Sequence, residues 1–259
     1  MRSHRWIRTL RSATEAGSSI EIDEERAARE QFRRGVRDAV PIALGLTVVG
    51  FIFGVTARSQ GLTWAEAGLM SAVVYAGPSQ FVAVGLLGQG AALSSIVLAA
   101  FIVNLRYILY ATSLGPYFRD RSTLRLSALA YGLVDAAYAL SISDCLRHPH
   151  LPRKDQYYLG ATLLMYAVWV PTAMAGGAVF SAFPEIDEIG LDFIIPALFI
   201  AMLVPLWRSW IEVAATALIV PLLIGTTEVM QLAHAVLVSM LIAILVGGTL
   251  KWMRQTSSR

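Results

Sequence analysis

The stretch TWAEAGLMSAVVYAGPSQFVAVGLL, residues 63–87, carries a single charge, Glu66. A bilayer core of about 30 Å is crossed by about 20 consecutive apolar residues, so this run is long enough to be a membrane helix. It is also interrupted. Tyr75-Ala76-Gly77-Pro78-Ser79-Gln80-Phe81 sets a Gly-Pro step and a polar pair in its middle. Proline lacks an N–H and clashes with the preceding turn. Backbone groups freed in this way are tolerated at membrane depth only inside protein or beside a water-filled cavity. The run therefore reads as a helix broken in mid-membrane, the device by which transporters offer half-helix ends to a substrate. The plainer alternative is a proline kink, with Ser79 and Gln80 bonding a neighbouring helix.

The remainder of the chain agrees with a membrane protein. Of 259 residues, 56% are hydrophobic and 15% charged, with a mean hydropathy of +0.60, whereas soluble domains carry about 25% charged residues. Sixteen charges fall in the first 38 positions and three after Leu250, leaving 20 over the 212 residues between. That is too few to solvate a globular surface, which argues against soluble enzymes, nucleic-acid binders and secreted disulfide scaffolds. The lone Cys145 excludes an intrachain disulfide or a cysteine-built metal site. The pI near 9.2 comes from arginines flanking apolar runs, which suits anionic lipid rather than nucleic acid.

The expected fold is an all-α integral membrane protein, a polytopic bundle of seven to eight spans with one or more broken helices. Residues 1–38 form a polar cytoplasmic segment, read as a solvated helix on the membrane surface with Glu25/Arg29 and Glu30/Arg34 at i,i+4 spacing. Residues 39–250 form the membrane domain and 251–259 a cytoplasmic tail. Spans are expected at 39–57, 63–87, 91–118, 124–146, 157–183, 191–207, 209–225 and 229–250. Thr63–Glu66 and Ser209–Glu212 fit capping boxes and mark helix starts. With both termini inside, Lys and Arg fall mostly in cytoplasmic loops. The dissenter is the loop holding Arg119, Arg121 and Arg125, which falls outside and leaves room for a seven-span or re-entrant arrangement. No internal repeat is evident.

Charged residues at mid-span are costly, and so point to function. Arg106, in Asn104-Leu105-Arg106-Tyr107-Ile108-Leu109-Tyr110, lies too deep to snorkel, and Tyr110 shares its face at i+4. Asp135 is central in 124–146, with Tyr131 at i−4 and Tyr138 at i+3. It is the obvious partner for Arg106, or a proton carrier. A structural ion pair is the competing explanation. His234 has no ligand motif around it, and neither metal nor cofactor is expected.

Taken in order, Gly35-Val36-Arg37-Asp38-Ala39-Val40-Pro41-Ile42, Tyr75 to Phe81, Asn104-Leu105-Arg106 with Leu109-Tyr110, Gly132-Leu133-Val134-Asp135 and Pro196-Ala197-Leu198-Phe199 resemble the AzlC family, the large subunits of branched-chain amino acid exporters. The resemblance covers about residues 33 to 250. It implies export of valine, leucine or isoleucine on an ion gradient across a bacterial inner membrane, with a small AzlD-type membrane subunit. Two positions depart from many relatives: Ala136 where an acid often follows the aspartate, and Asn104 where some carry Asp. Substrate binding is expected from Gly77, Ser79, Gln80, Phe81, Asn104, Arg106 and Tyr110, and ion coupling from Asp135. The rivals are a permease subunit for a separate ATPase, since the chain has no Walker A motif, and an intramembrane enzyme, for which no nucleophile or metal set is present.

Overall fold

The structure is a computed structural model that describes residues 3–183, with side chains from Glu24 onward. The three expected spans beyond residue 184, the Ser209–Glu212 box, His234, the Pro196–Phe199 motif and the tail lie outside the described residues. All regular elements described are helical: α1 Ser3–Ser59, α2 Trp64–Val74, α3 Gly77–Gly88, α4 Leu93–Asn104, α5 Arg106–Leu114, a 3₁₀ turn Gly115–Phe118, α6 Thr123–Tyr131, α7 Asp135–Arg147 and α8 Lys154–Ala182.

Two long helices, α1 and α8, form the spine. They run parallel, Gly35 and Gly160 lying at one level and Gly54 and Gly176 further along. At Gly54 the backbone of Ala173 comes so close that no Cβ would fit, and the same holds at Gly160 against Phe32. Small residues let membrane helices approach until backbone dispersion contacts replace the missing hydrophobic drive. This packing reaches back into the last part of the segment read as a solvated surface helix. The helix continues through position 38 and through Pro41, and its residues around Phe32 to Val36 lie against α8 instead of resting solvated on a surface. Glu25–Arg29 pair as expected, at 3.3 Å, but Arg34 turns to Asp144 on α7 rather than to Glu30.

The expected span 63–87 is broken, and the break also reverses the chain. α2 begins beside Gly177, with a Thr63–Glu66 capping box closed in both directions, and descends past Met174 to Tyr166 and Thr162. Tyr75 then takes a left-handed conformation (φ 43°, ψ 47°), a state that costs a non-glycine residue of order 1–3 kcal/mol and persists only where packing imposes it. α3 climbs back from Trp169, past Phe53, to Gly88, where a methyl group would collide with the Gln60 amide. With 11 and 12 residues, the two arms are each about 17 Å long, half a bilayer core. α2/α3 is thus a re-entrant hairpin, entering and leaving at the Ser59 end of α1.

A second hairpin enters from the opposite end. Arg121 and Arg125 at the start of α6 meet Asp155 in the first turn of α8, and Leu129 and Gly132 sit at Tyr158 and Thr162. The chain turns at Gly132-Leu133-Val134, and α7 returns until Asp144 meets Lys154. Both hairpin tips therefore reach the same level of α8, around Thr162 to Tyr166. Among the described residues, three helices remain that are long and apolar enough to cross: Glu24–Ser59, Leu93–Phe118 and Lys154–Ala182. In place of the five crossings expected before residue 184, the described residues give three candidate crossings and two hairpins. The loop at 119–125 then joins the end that also holds Arg26, Arg29, Arg33, Arg34, Arg37, Arg147, Arg153 and Lys154, against Arg58 alone at the other among the described residues. The dissenting arginines are explained by this geometry.

Candidate functional site

The tip of α2/α3 is closed by its own side chains. Gln80 Oε1 accepts from the Ala76 N–H at 3.1 Å, its Nε2 donates to Ser71 Oγ at 3.2 Å, and Ser79 Oγ donates to the Ala76 carbonyl at 2.9 Å. Both residues are fully buried. Phe81 packs edge-on against Phe53, centroids 5.3 Å apart, and Gly77 lies against the Trp169 ring. These groups satisfy the backbone freed by the break. Ser79, Gln80 and Phe81, expected to face a substrate, are engaged here by hydrogen bonding and packing within the tip and with Phe53.

The tip of α6/α7 is different. Asp135 is the first residue of α7, so its carboxylate sits at the positive end of a helix dipole. Arg106 is the first residue of α5, where α4 tightens around Leu105 with i→i−3 bonds, Leu105 N–H to Ile102 and Ile108 N–H to Leu105, both 3.1 Å. A cation at that helix start is unfavourable alone, and Asp135 offsets it. Arg106 Nη2 donates to Asp135 Oδ2 at 3.0 Å. Its Nε also lies 3.0 Å from Oδ1, but outside hydrogen-bonding alignment. The pair thus has one directed bond and one close charge contact. The Tyr110 hydroxyl donates to Oδ1 at 2.8 Å.

Tyr110 stacks flat on Tyr138, centroids 4.1 Å apart, and the Tyr138 hydroxyl donates to Ser113 Oγ at 3.3 Å. The Arg106 guanidinium also rests over the Tyr107 ring, at 5.1 Å from its centroid. Asn104 Oδ1, two residues before Arg106 at the end of α4, is buried without a hydrogen-bond partner among the described residues. Arg106, Tyr110 and Asp135 are therefore brought together as anticipated, whereas Phe81 belongs to a separate apolar cluster with residues of α1 and α8. Val134 and Leu46 touch both clusters.

One expectation about Asp135 fails. Tyr131 does not share its helical face, because the chain turns between them; its hydroxyl bonds the Ala72 carbonyl instead, which also accepts from Tyr166 at 3.0 Å. Tyr75, Tyr131 and Tyr166 form an aromatic knot, with Tyr75 4.9 Å from Tyr166 and 6.2 Å from Tyr131, and this knot joins the two tips. Sequence reading missed it. The available signal was Ser71-Ala72-Val73-Val74-Tyr75 repeated as Ser127-Ala128-Leu129-Ala130-Tyr131, each closing the first arm of a hairpin.

Opposed half-helices whose ends converge at one depth, with an ion pair at the meeting point, define a polytopic membrane protein of transporter-like architecture. Comparison with known proteins specifies the family. The model of the AzlC protein family matches residues 41–183, and the chain belongs to that family. It is 30% identical over 205 residues to the inner membrane protein YgaZ of Escherichia coli, covering 76% of this chain and 81% of that one. It is 29% identical over 179 residues to the branched-chain amino acid transport protein AzlC of Bacillus subtilis, covering 69% and 68% respectively. An uncharacterized membrane protein of Archaeoglobus fulgidus is 32% identical over 177 residues, 67% of this chain and 75% of that one. No solved structure matches the chain.

Proposed function

We propose that this protein is a gradient-driven secondary transporter that exports branched-chain amino acids of the valine, leucine and isoleucine class. The observation that carries the reading is the Arg106–Asp135 pair between half-helix ends, with Asn104, two residues before Arg106, holding a buried oxygen that has no partner among the described residues. An amino acid carries one carboxylate and one ammonium, so it can take the place of each partner for the other. Its carboxylate engages the Arg106 fork and the N–H groups opening α5, and its ammonium engages Asp135 and Asn104. The Tyr107, Tyr110 and Tyr138 rings then offer an apolar wall to the side chain. One methylene against such a wall is worth about 1–3 kcal/mol, so selectivity among the three is modest. Once parted from Arg106, Asp135 is free to carry the coupling proton.

The excess of Lys and Arg at the Arg34 end among the described residues supports a cytoplasmic position for that end, with α1, α4–α5 and α8 crossing and the N-terminus inside. The printed name of the Bacillus subtilis relative supports the substrate class. A small AzlD-type membrane subunit completes the transporter. Exposed Leu93, Val97, Phe101, Ile108 and Leu109 give α4–α5 an apolar face suited to lipid or to such a subunit. The test is efflux of labelled valine from loaded cells lacking other exporters, with and without the small subunit. Efflux that collapses with the proton gradient and falls in Asp135→Asn supports the reading. No efflux from correctly inserted protein in either case overturns the substrate class.

A further inference from the structure

We propose that α6/α7 is the gate of this site at its basic end, and that the adjacent residues Lys154 and Asp155 latch it shut. This rests on reading the Arg106–Asp135 pair as the transport site. The hairpin's two ends are held by consecutive residues of opposite charge in the first turn of α8. At the entering end, Asp155 lies 3.3 Å from Arg121 Nη2 and 2.5 Å from Arg125 Nη2, close charge contacts without hydrogen-bonding alignment, with Arg153 Nε at 3.9 Å. At the leaving end, Lys154 Nζ donates to Asp144 Oδ2 at 3.1 Å and to the His148 carbonyl at 2.6 Å. Asp144 is also bound by Arg34 of α1 and contacted by His148, so the latch ties three elements together.

The latch is built to be all or none. Asp144, Lys154 and Asp155 are 4%, 7% and 1% exposed. Removing one partner of a desolvated pair leaves the other charge buried and uncompensated, so partial opening is disfavoured against full closure or full release into water. Tightly packed elements of this kind switch between discrete arrangements rather than deforming gradually. The α2/α3 hairpin has nothing comparable at its own ends. There Glu66 caps its own helix and Arg58 donates to Ser181 Oγ, with no ion pair between helices among the described residues. The structure is thus the state closed at the basic end.

Cys145, the chain's only cysteine, follows Asp144 and is 2% exposed in the same cluster as Tyr158 and Ala161. Its alkylation by N-ethylmaleimide, measured by mass spectrometry on the full-length protein in membrane vesicles without substrate, reads the opening of the hairpin. The wild type reacts slowly. Arg121→Gln/Arg125→Gln and, separately, Lys154→Met accelerate alkylation by about tenfold or more, as removal of a partner from a desolvated charge predicts, while Arg58→Gln leaves the rate unchanged. Removing nearby cations disfavours a thiolate, so acceleration reports exposure. The arginine variants, at 26% and 35% side-chain exposure, are the gentler test of folding. Wild-type rates in the latch variants, or equal acceleration in Arg58→Gln, would overturn the gate. Because no substrate is present, failure of valine transport counts against the site and unchanged alkylation against the gate.

Discussion

The two hairpins begin alike and end differently. Each first arm closes on Ser-Ala-x-x-Tyr, and each tip reaches Thr162 to Tyr166 of α8. Beyond the tyrosine, one continues Gly77-Pro78-Ser79-Gln80 and satisfies itself, while the other continues Leu133-Val134-Asp135 after Gly132 and puts a carboxylate at the turn. The lesson is that a broken membrane helix needs polar groups whether or not it binds anything. A neutral tip can supply them from within. A charged tip must find its partner elsewhere, here Arg106, and that dependence on a second element makes it able to respond to a ligand.

The comparison can be broken most severely at the charged tip. Arg106→Ala strands Asp135, whose side chain is 28% exposed in the closed pair. A loss of about 3 kcal/mol, on the order of 100-fold in valine efflux, is expected after allowing for that exposure. Arg106→Lys keeps the charge without the fork and loses about tenfold. An Arg106→Ala protein as active as the wild type would make the pair a mere strut. Tyr110→Phe keeps the ring stacked on Tyr138 and deletes one bond to Asp135. It is expected to weaken apparent valine affinity by about tenfold, as for a hydrogen bond to a charged group, without lowering the yield of folded protein.

At the neutral tip the effect is on stability. Gln80→Leu leaves the Ala76 N–H and Ser71 hydroxyl buried without partners, a cost of about 1–3 kcal/mol. Thermal melting in detergent should fall, while the valine affinity of the surviving protein stays at the wild-type level. An affinity loss larger than the stability loss would move Gln80 into the binding site. The smallest change is Thr63→Ala, which removes one helix cap far from both tips. It should cost about 1 kcal/mol in melting and nothing in transport.

Much of this was legible in the sequence, in particular ways. Apolar length gave the membrane, Gly77-Pro78 gave the first break, and isolation in apolar runs paired Arg106 with Asp135. The Gly132-Leu133-Val134 turn was missed because no proline marks it and because 124–146 is long enough to cross. The direction of the hairpins was hidden for a physical reason: an arm that returns to its own side needs the same apolar composition as one that crosses. Only the arginines at 119–125, misplaced in a crossing arrangement, carried the information. Ser79 and Gln80 were assigned to substrate because their chemistry suits it, but polarity within a span does not say which way the groups face.

The central claim is that α2/α3 and α6/α7 re-enter from opposite ends instead of crossing. Single cysteines placed at exposed Gln60, Gln89, Asp120 and His150 in a Cys145→Ala background, labelled with an impermeant maleimide from one side of sealed membranes, test it directly. The account predicts that Gln60→Cys and Gln89→Cys label from one side and Asp120→Cys and His150→Cys from the other. Labelling of Gln60→Cys and Gln89→Cys from opposite sides, or of Asp120→Cys and His150→Cys from opposite sides, would contradict it.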